Sequence, residues 1–240
     1  MLHFLHLKNI PIWEQLQIEE ALLRIDNRNF FILNEGSPKA IIMGISGKEE
    51  ELIHPKAHED NIPIFRRFSG GGTVIVDEDT LFATWICQKD FLPCPPFPDK
   101  ILHWSAKFYQ EALNIQGFLL QENDYAINHL KCGGNAQYLR KDRWLHHTSF
   151  LWDFKDTNMD YLLHPKKIPK YREDRSHLEF LCRLKNYIPS KNTALERLIK
   201  TLEKNYLIQH ISIESILPLL NLDHRKSLER VQLKPVYHEF

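Results

Sequence analysis

Arg66-Arg67-Phe68-Ser69-Gly70-Gly71-Gly72 stands between two strand-like runs, Ile64-Phe65 before it and Thr73-Val74-Ile75-Val76 after it. Three successive glycines give a core little to bury. They give a backbone that can take positive φ and approach a ligand without a side-chain clash. The arginines add forked donors suited to phosphate or carboxylate. No Lys-Ser/Thr follows, as a nucleotide-hydrolase phosphate loop requires, and the next element reads as a strand where a dinucleotide-binding fingerprint has a helix. The stretch predicts a ligand-wrapping loop set between strands.

Outward from this loop, apolar spacing predicts a helix opened by Pro11 and running from Ile12 to Leu23. Phe30–Leu33 and Ala40–Gly44 read as strands joined by a turn, because Asn-Glu-Gly-Ser-Pro separates them. Ile64–Phe68, Thr73–Asp77 and Leu81–Ile86 continue the strands. Cys94-Pro95-Pro96-Phe97-Pro98 is a rigid loop before a helix from Ile101 to Leu113. Phe118–Leu120 and Tyr125–Ile127 are strand-like, and Lys141-Asp142-Arg143 turns a hairpin that ends near Trp152. After residue 190 the spacing becomes helical over 193–207 and 212–220. The order predicts an α+β fold of mixed, mostly antiparallel sheets flanked by helices, not a doubly wound one. It divides into a catalytic domain, 1–190, and a short helical C-terminal extension, 191–240.

The 31 basic and 31 acidic residues balance among 240, so no bulk charge draws the chain to nucleic acid or an anionic membrane. No apolar stretch of 18 residues occurs, and Met1–His6 lacks the pattern of a secretory leader, so the expectation is a cytoplasmic protein. Cys87, Cys94, Cys132 and Cys182 form no CxxC or zinc spacing, which predicts free thiols and no protein metal site.

Two further clusters carry chemistry. Lys131-Cys132-Gly133-Gly134-Asn135-Ala136 sets a lysine beside small residues, where a point charge can meet an acyl oxygen or a phosphate while the backbone comes close. His146-His147-Thr148-Ser149 lies within an otherwise apolar strand. Adjacent strand residues face opposite ways, so at most one of the two histidines shares a site with the glycine loop.

The three motifs, in this order and spacing, resemble the lipoate–protein ligase A family of the biotin/lipoate ligase superfamily. Arg66–Gly72 matches its RRxSGGG loop and Lys131–Ala136 its K-x-x-G-[SN]-A motif; His146–Leu151 matches HHGTLL loosely, and Gln15–Arg24 is similar to the family's first helix. The resemblance covers roughly residues 10–185. It implies two-step acyl transfer: ATP, with Mg²⁺, and lipoate give a lipoyl-adenylate, which a lysine of a lipoyl carrier domain then attacks. The carriers implied are E2 subunits of 2-oxoacid dehydrogenases or the glycine cleavage H protein, with an accessory subunit an open question.

Carried onto this sequence, Lys131 becomes the catalytic residue. Arg67, Ser69, Gly70, Gly71, Gly72, Asp77, Gly134, Asn135, Ala136, His147 and Ser149 become the residues that bind substrate or adenylate, with Arg67 balancing phosphate charge. Strands such as Ile41–Met43 and Thr84–Ile86 are expected to wall an apolar tunnel for the C8 chain. The basic run Lys170–His177 falls where the family covers its adenylate. Val76 and Asp79-Thr80 depart from the family's V-x-H-D-x-G-N, and Thr148 stands where it has glycine. Two alternatives stay open: an acyl transferase working through a thioester on Cys132 or Cys182, and a non-catalytic homologue that binds acyl groups or carriers.

Overall fold

The computed structural model describes residues 1–93, 95–165 and 168–232. Cys94 and the last eight residues of the expected extension lie outside the described residues. The strands are β1 (Leu2–Lys8), β2 (Asn29–Glu35), β3 (Ala40–Met43), β4 (Ile64–Arg66), β5 (Val74–Val76), β6 (Thr80–Gln88), β7 (Phe118–Gln121), β8 (Asp124–Ile127), β9 (Leu130–Leu139), β10 (Arg143–Leu151), β11 (Ile208–Ile211) and β12 (Glu229–Arg230). The α-helices are α1 (Ile12–Ile25), α2 (Glu49–Leu52), α3 (Lys56–Glu59), α4 (Pro98–Leu113), α5 (His177–Phe180) and α6 (Lys191–Asn205). Eight strands form one mixed sheet in the order β11-β1-β2-β6-β10-β9-β8-β7, and β12-β4-β3-β5 form a smaller one. In the large sheet β1 runs parallel to β2 and β11, and the remaining pairs are antiparallel. The fold is the expected α+β arrangement.

Period-two alternation assigns each strand's side chains to two cores. Phe31, Trp85, Trp144 and Phe150 pack on one face of the large sheet against Phe108 and Tyr109 of α4 and Leu198 and Leu202 of α6. Phe30, Ile32, Ile86 and Leu145 turn the other way, onto Ile18, Leu22 and Leu23 of α1. Each such fully buried side chain stabilises the fold by about 1.5–3 kcal/mol.

Helix α1 is fixed at both ends. Its first N–H, from Ile12, donates to Ser37 Oγ at 2.9 Å. The carbonyls of Leu23 and Arg24 accept from Arg140 Nη1 at 2.9 and 3.0 Å, and Leu22 O lies 3.5 Å from Arg143 Nη2. Two guanidinium groups from the β9–β10 hairpin thus supply the last turn with donors and with favourable charge for the helix dipole.

Three elements differ from the sequence reading. β2 and β3 belong to different sheets, so Gly36 (φ +98°) turns the chain from one sheet to the other and makes no hairpin. Turn residues announce a change of direction and leave the strand's partner undetermined. β1, unread as a strand, lies inside the large sheet, paired with β2 from Leu2–Asn29 to Lys8–Glu35. Beyond residue 190, α6 packs into the main core, and Ile208–Ile211, between the two stretches read as helical, pairs with β1 as β11. From there the chain runs back as a strap: Ser227 N donates to both oxygens of buried Glu20 at 3.0 Å, and β12 pairs with β4.

Gly44, just after β3, lies against the glycine loop. A Cβ at Gly44 would sit 2.2 Å from the Gly71 carbonyl oxygen. Backbone cannot rotate aside as a side chain can, so Gly44→Ala is expected to destabilise the protein by about 1–3 kcal/mol. Urea unfolding of the two proteins, followed by circular dichroism, checks this; equal midpoints would contradict it.

Candidate functional site

Strict alternation along β9 would put Lys131 on the face opposite Gly134 and Ala136. It does not, because the β8–β9 register shifts at this point: Tyr125 pairs with Gly133 and Ala126 with Lys131, leaving Cys132 as an extra residue. Such bulges re-aim side chains. Cys132 drops into the core, its thiol 3.4 Å from Tyr125 O, while Lys131 turns to the other face and lies along Gly134. A Cβ at Gly134 would sit 3.4 Å from Lys131 Nζ and Cε. The ammonium pairs with Asp124 Oδ1 at 2.8 Å.

Across the cavity lies the glycine loop. Gly71 has φ +113°, and a side chain there would meet Arg67 Nη2 at 2.7 Å and Asn135 O at 2.9 Å. Nothing lies within 4 Å of a Cβ added at Gly70 or Gly72. Arg67 is buried, and its Nη2 donates to the carbonyls of Gly70 (3.1 Å) and Gly72 (2.8 Å). Burial pulls its pKa down to about 10, against the opposing influence of Glu19. The guanidinium therefore braces the loop from beneath. Arg66 turns away, its Nε on Glu229 Oε2 at 3.0 Å in the strap.

Between loop and lysine is a cavity of about 660 Å³. Of the twelve residues expected in the site, Lys131, Arg67, Gly71, Gly72, Gly134, Asn135, Ala136, His147 and Ser149 line it. Ser69, Gly70 and Asp77 do not. Ser69 and Gly70 are spent on holding the loop, through Ser69 O to Ile45 N and Gly70 N to Gln137 O. Asp77 builds the turn into β6, accepting from Asp79 N at 3.0 Å and Asn158 Nδ2 at 2.8 Å; burial raises its pKa. The Asn135 carboxamide bonds to Asn123 O and Thr148 Oγ1, bracing the β9–β10 pair.

The apolar wall is made by Ile12 and Leu16 of α1, Ile42, Val74, Val76 and Phe82. This corrects the expected walls: of Ile41–Met43 only Ile42 faces the cavity, since Ile41 and Met43 alternate into another core, and Thr84–Ile86 stay outside it. Val76, where the family pattern has a histidine, is part of the apolar lining.

A chain of polar groups enters this wall. Glu19, fully buried on α1, accepts from Gln15 Nε2 (2.8 Å), Thr84 Oγ1 (2.7 Å) and His147 Nδ1 (2.9 Å). His147 Nε2 lies 3.3 Å from Ser149 Oγ. His146 points to the opposite face, near Ser105 and Tyr125, and burial pulls its pKa down to about 3. Glu19 and Gln15 were readable as polar residues four apart within an apolar helical stripe.

Over the lysine lies the segment 168–181. Ile168, Pro169, Arg172, His177, Phe180 and Leu181 line the cavity, so the basic run contributes one cation, Arg172, and one imidazole. Burial, with Arg172, His164 and Lys131 close by, lowers the pKa of His177 to about 4. Tyr171 OH donates to Asp124 Oδ2 at 3.0 Å, and its N–H to Glu122 Oε1 at 3.1 Å. The segment is thereby tied to the carboxylate that holds Lys131. Asp124 escaped the sequence reading, although Asn123-Asp124 at a turn seven residues before the lysine was a signal.

No cysteine lines the cavity among the described residues. Cys87, Cys132 and Cys182 are buried, and burial pushes the Cys132 thiol well up in pKa. No group of three or more His, Cys, Asp or Glu that could hold a metal ion occurs among the described residues, and no described helix is long and apolar enough to cross a membrane.

Comparison with known proteins narrows the meaning of this geometry. Residues 11–206 match the family model of the lipoyl protein ligase A/B catalytic domain. The chain is 29% identical to the inactive lipoate–protein ligase 2 of Plasmodium falciparum, over 88% of this chain and 72% of that one. It is 26% identical to the lipoate–protein ligase LplJ of Bacillus subtilis, over 82% of this chain and 58% of the relative. The fold matches a crystal structure of lipoate–protein ligase A bound with ATP at a TM-score of 0.72 and 17% identity, over 91% of each chain. It matches a bipartite lipoate–protein ligase from Thermoplasma acidophilum equally well, at 0.72 and 19% identity, over 91% of this chain and 89% of that one. With a family match across most of its length, and with the glycine loop and lysine facing one cavity, the chain belongs to the lipoyl protein ligase A/B family.

Proposed function

We propose that this protein attaches lipoate to a lysine of a lipoyl carrier domain, through a lipoyl-adenylate made from ATP. The observation that carries the reading is Lys131, turned by the bulge onto the cavity face, beside Gly134 and across from a glycine loop with open space at Gly72. A carboxylate placed there has an ammonium next to the oxygen on which negative charge grows as the acyl carbon becomes tetrahedral. The apolar wall from Ile12 to Phe82 suits the hydrocarbon behind it, where each buried methylene contributes about 0.8 kcal/mol.

Without ligand, Asp124 neutralises Lys131. An arriving phosphate competes with that carboxylate for the ammonium, and Arg172 stands on the same side to share the added negative charge. Arg67 acts through the loop it braces. Mg²⁺ brought with ATP would rest on phosphate oxygens, for the described side chains form no cage for it. The carriers are lipoyl domains, the kind of partner named with the Thermoplasma ligase. A thioester mechanism lacks a thiol at the cavity among the described residues, which favours the adenylate route.

Purified protein should release pyrophosphate from ATP only when lipoate is present, and should then lipoylate an apo carrier domain. Lipoate binding without pyrophosphate release would make the protein a non-catalytic homologue, as its P. falciparum relative is named. Lys131→Ala is expected to lower the rate of adenylate formation about 10²–10³-fold, the cost of one oxyanion-type donor, with an unchanged circular dichroism spectrum. Near-wild-type turnover would remove Lys131 from the chemistry.

Cys132→Ser and Cys182→Ser should each stay within a few-fold of wild type, with ATP still required. Transfer that persists without ATP and is lost in either variant would replace the ligase with a thioester transferase.

A further inference from the structure

The stem of the glycine loop is gripped from outside by the end of the chain. β12 adds to the edge of β4 that faces away from β3, with Glu229 opposite Arg66, Arg230 opposite Phe65, and Val231 N donating to Ile64 O at 3.0 Å. Arg66 is the last residue of β4, and the loop follows it directly. Its side chain donates to two elements at once, Nε to Glu229 Oε2 at 3.0 Å and Nη1 to the carbonyl of Gly47. The turn that carries Gly47 is itself stitched to the loop, through Ile45 N to Ser69 O at 3.0 Å and Arg67 N to Met43 O at 2.9 Å. Ser46 and Gly47 line the cavity. A half-solvated pair such as Arg66 with Glu229 adds little stability, so its use is geometric.

Phe68, two residues further on, is held by the same segment. It is buried with Ile18 and Leu22 of α1 in a cluster that Leu219, Leu220 and Leu228 pack against. The Arg24 guanidinium stands 5.9 Å from the Phe68 ring and donates through Nη2 to Glu20 Oε1 at 2.7 Å and Ser227 Oγ at 3.1 Å. Glu20 is buried and accepts the Ser227 N–H on both oxygens. A buried carboxylate deprived of a donor is costly, so Glu20 fixes where along α1 the segment lies. Adjacent acids on one helix thus serve different ends, Glu19 in the cavity and Glu20 on the returning chain. No residue beyond Leu181 lines the cavity among the described residues, so whatever Ser227–Val231 does for the site it does through the loop.

We infer that Ser227 and Glu229, latched to Glu20 and Arg66, are positioning residues that keep the glycine loop in its ligand-binding arrangement before substrate arrives. The inference rests on the proposed binding of the adenylate at that loop. Three glycines make a loop that loses much conformational freedom on ordering. Order that the protein does not supply must be supplied by the ligand, and apparent affinity falls by the fraction of molecules whose loop is in place. Arg67 holds the curvature of the loop through the loop's own carbonyls. The strap holds the stem from which the loop springs, on one side at Arg66 and on the other at Phe68.

Two pairs of full-length variants test this. Ser227→Pro removes the N–H that Glu20 accepts, whereas Ser227→Ala keeps it; Glu229→Leu removes the acceptor of Arg66 at an exposed position, whereas Glu229→Gln keeps one. Hydrogen exchange of the free protein should run about tenfold faster at the Ile45 and Gly70 amides in Ser227→Pro and in Glu229→Leu, while β6 and β10 amides keep wild-type rates. Calorimetric affinity for a non-hydrolysable lipoyl-adenylate mimic should fall about tenfold in the same two variants. KM for lipoate should rise with it, and kcat should stay within about two-fold. Ser227→Ala and Glu229→Gln should match wild type throughout. Unchanged exchange at Ile45 and Gly70, exchange accelerated equally across the large sheet, or unchanged affinity in Glu229→Leu and Ser227→Pro overturns the inference and leaves the ligase reading intact. Failure of wild-type protein to bind the mimic overturns both.

Discussion

One surplus residue in β9 decides what the site can do. Without the bulge at Cys132, Lys131 would sit with Gly133 on the face packed by Tyr125 and Phe150, where an ammonium has no counter-charge. With it, a cation and two small residues share one face, and the thiol occupies the core position the lysine would have taken. The glycines complete the arrangement. Gly133 is needed for packing, since a Cβ there would lie 2.9 Å from the Phe150 ring, whereas Gly134 gives Lys131 room to lie flat. Two adjacent glycines thus answer to opposite faces of the sheet.

The second constraint is buried charge. Glu19 is fully buried and Arg67 nearly so, yet neither faces the other through a direct ion pair. Glu19 is satisfied by three donors, and Arg67 by loop carbonyls, with one nitrogen, Nε, unpartnered. Charges held in this way cost desolvation free energy that apolar residues of similar volume would spare. What they give is orientation: Arg67 fixes the curvature of the loop, and Glu19 fixes the rotation of His147.

The motifs were legible because they are chemically unusual. A glycine triplet after two arginines, and a lysine before Gly-Gly-Asn-Ala, have little use in an ordinary core, and the structure brings both to one cavity. Legibility failed where the outcome depends on distant partners. No local pattern says that Ser37 will meet the start of α1, that Ile208–Ile211 will lie beside β1, or that Arg67 will turn beneath its loop. Asp77 was placed in the site by analogy of motif, whereas its carboxylate is taken up by Asn158 and the turn. His147 and His146 were separated correctly by alternation alone, but only the tertiary structure supplies Glu19 as the reason one of them matters.

The placement of β1 and β11 separates two boundaries that are easily equated. Sequence likeness to the family spans residues 11–206, yet β1 (Leu2–Lys8) lies within the large sheet, between β2 and β11, outside that span. A chain trimmed to the matched region would keep the β2–β6 pairing but leave the edge of β2 that faces β1 with unpaired donors and acceptors, backed by Phe30 and Phe31. Such an edge invites pairing with another molecule. The limits of resemblance therefore fall inside the limits of the cooperative unit, and an attempt to isolate the matched part would yield a protein prone to self-association.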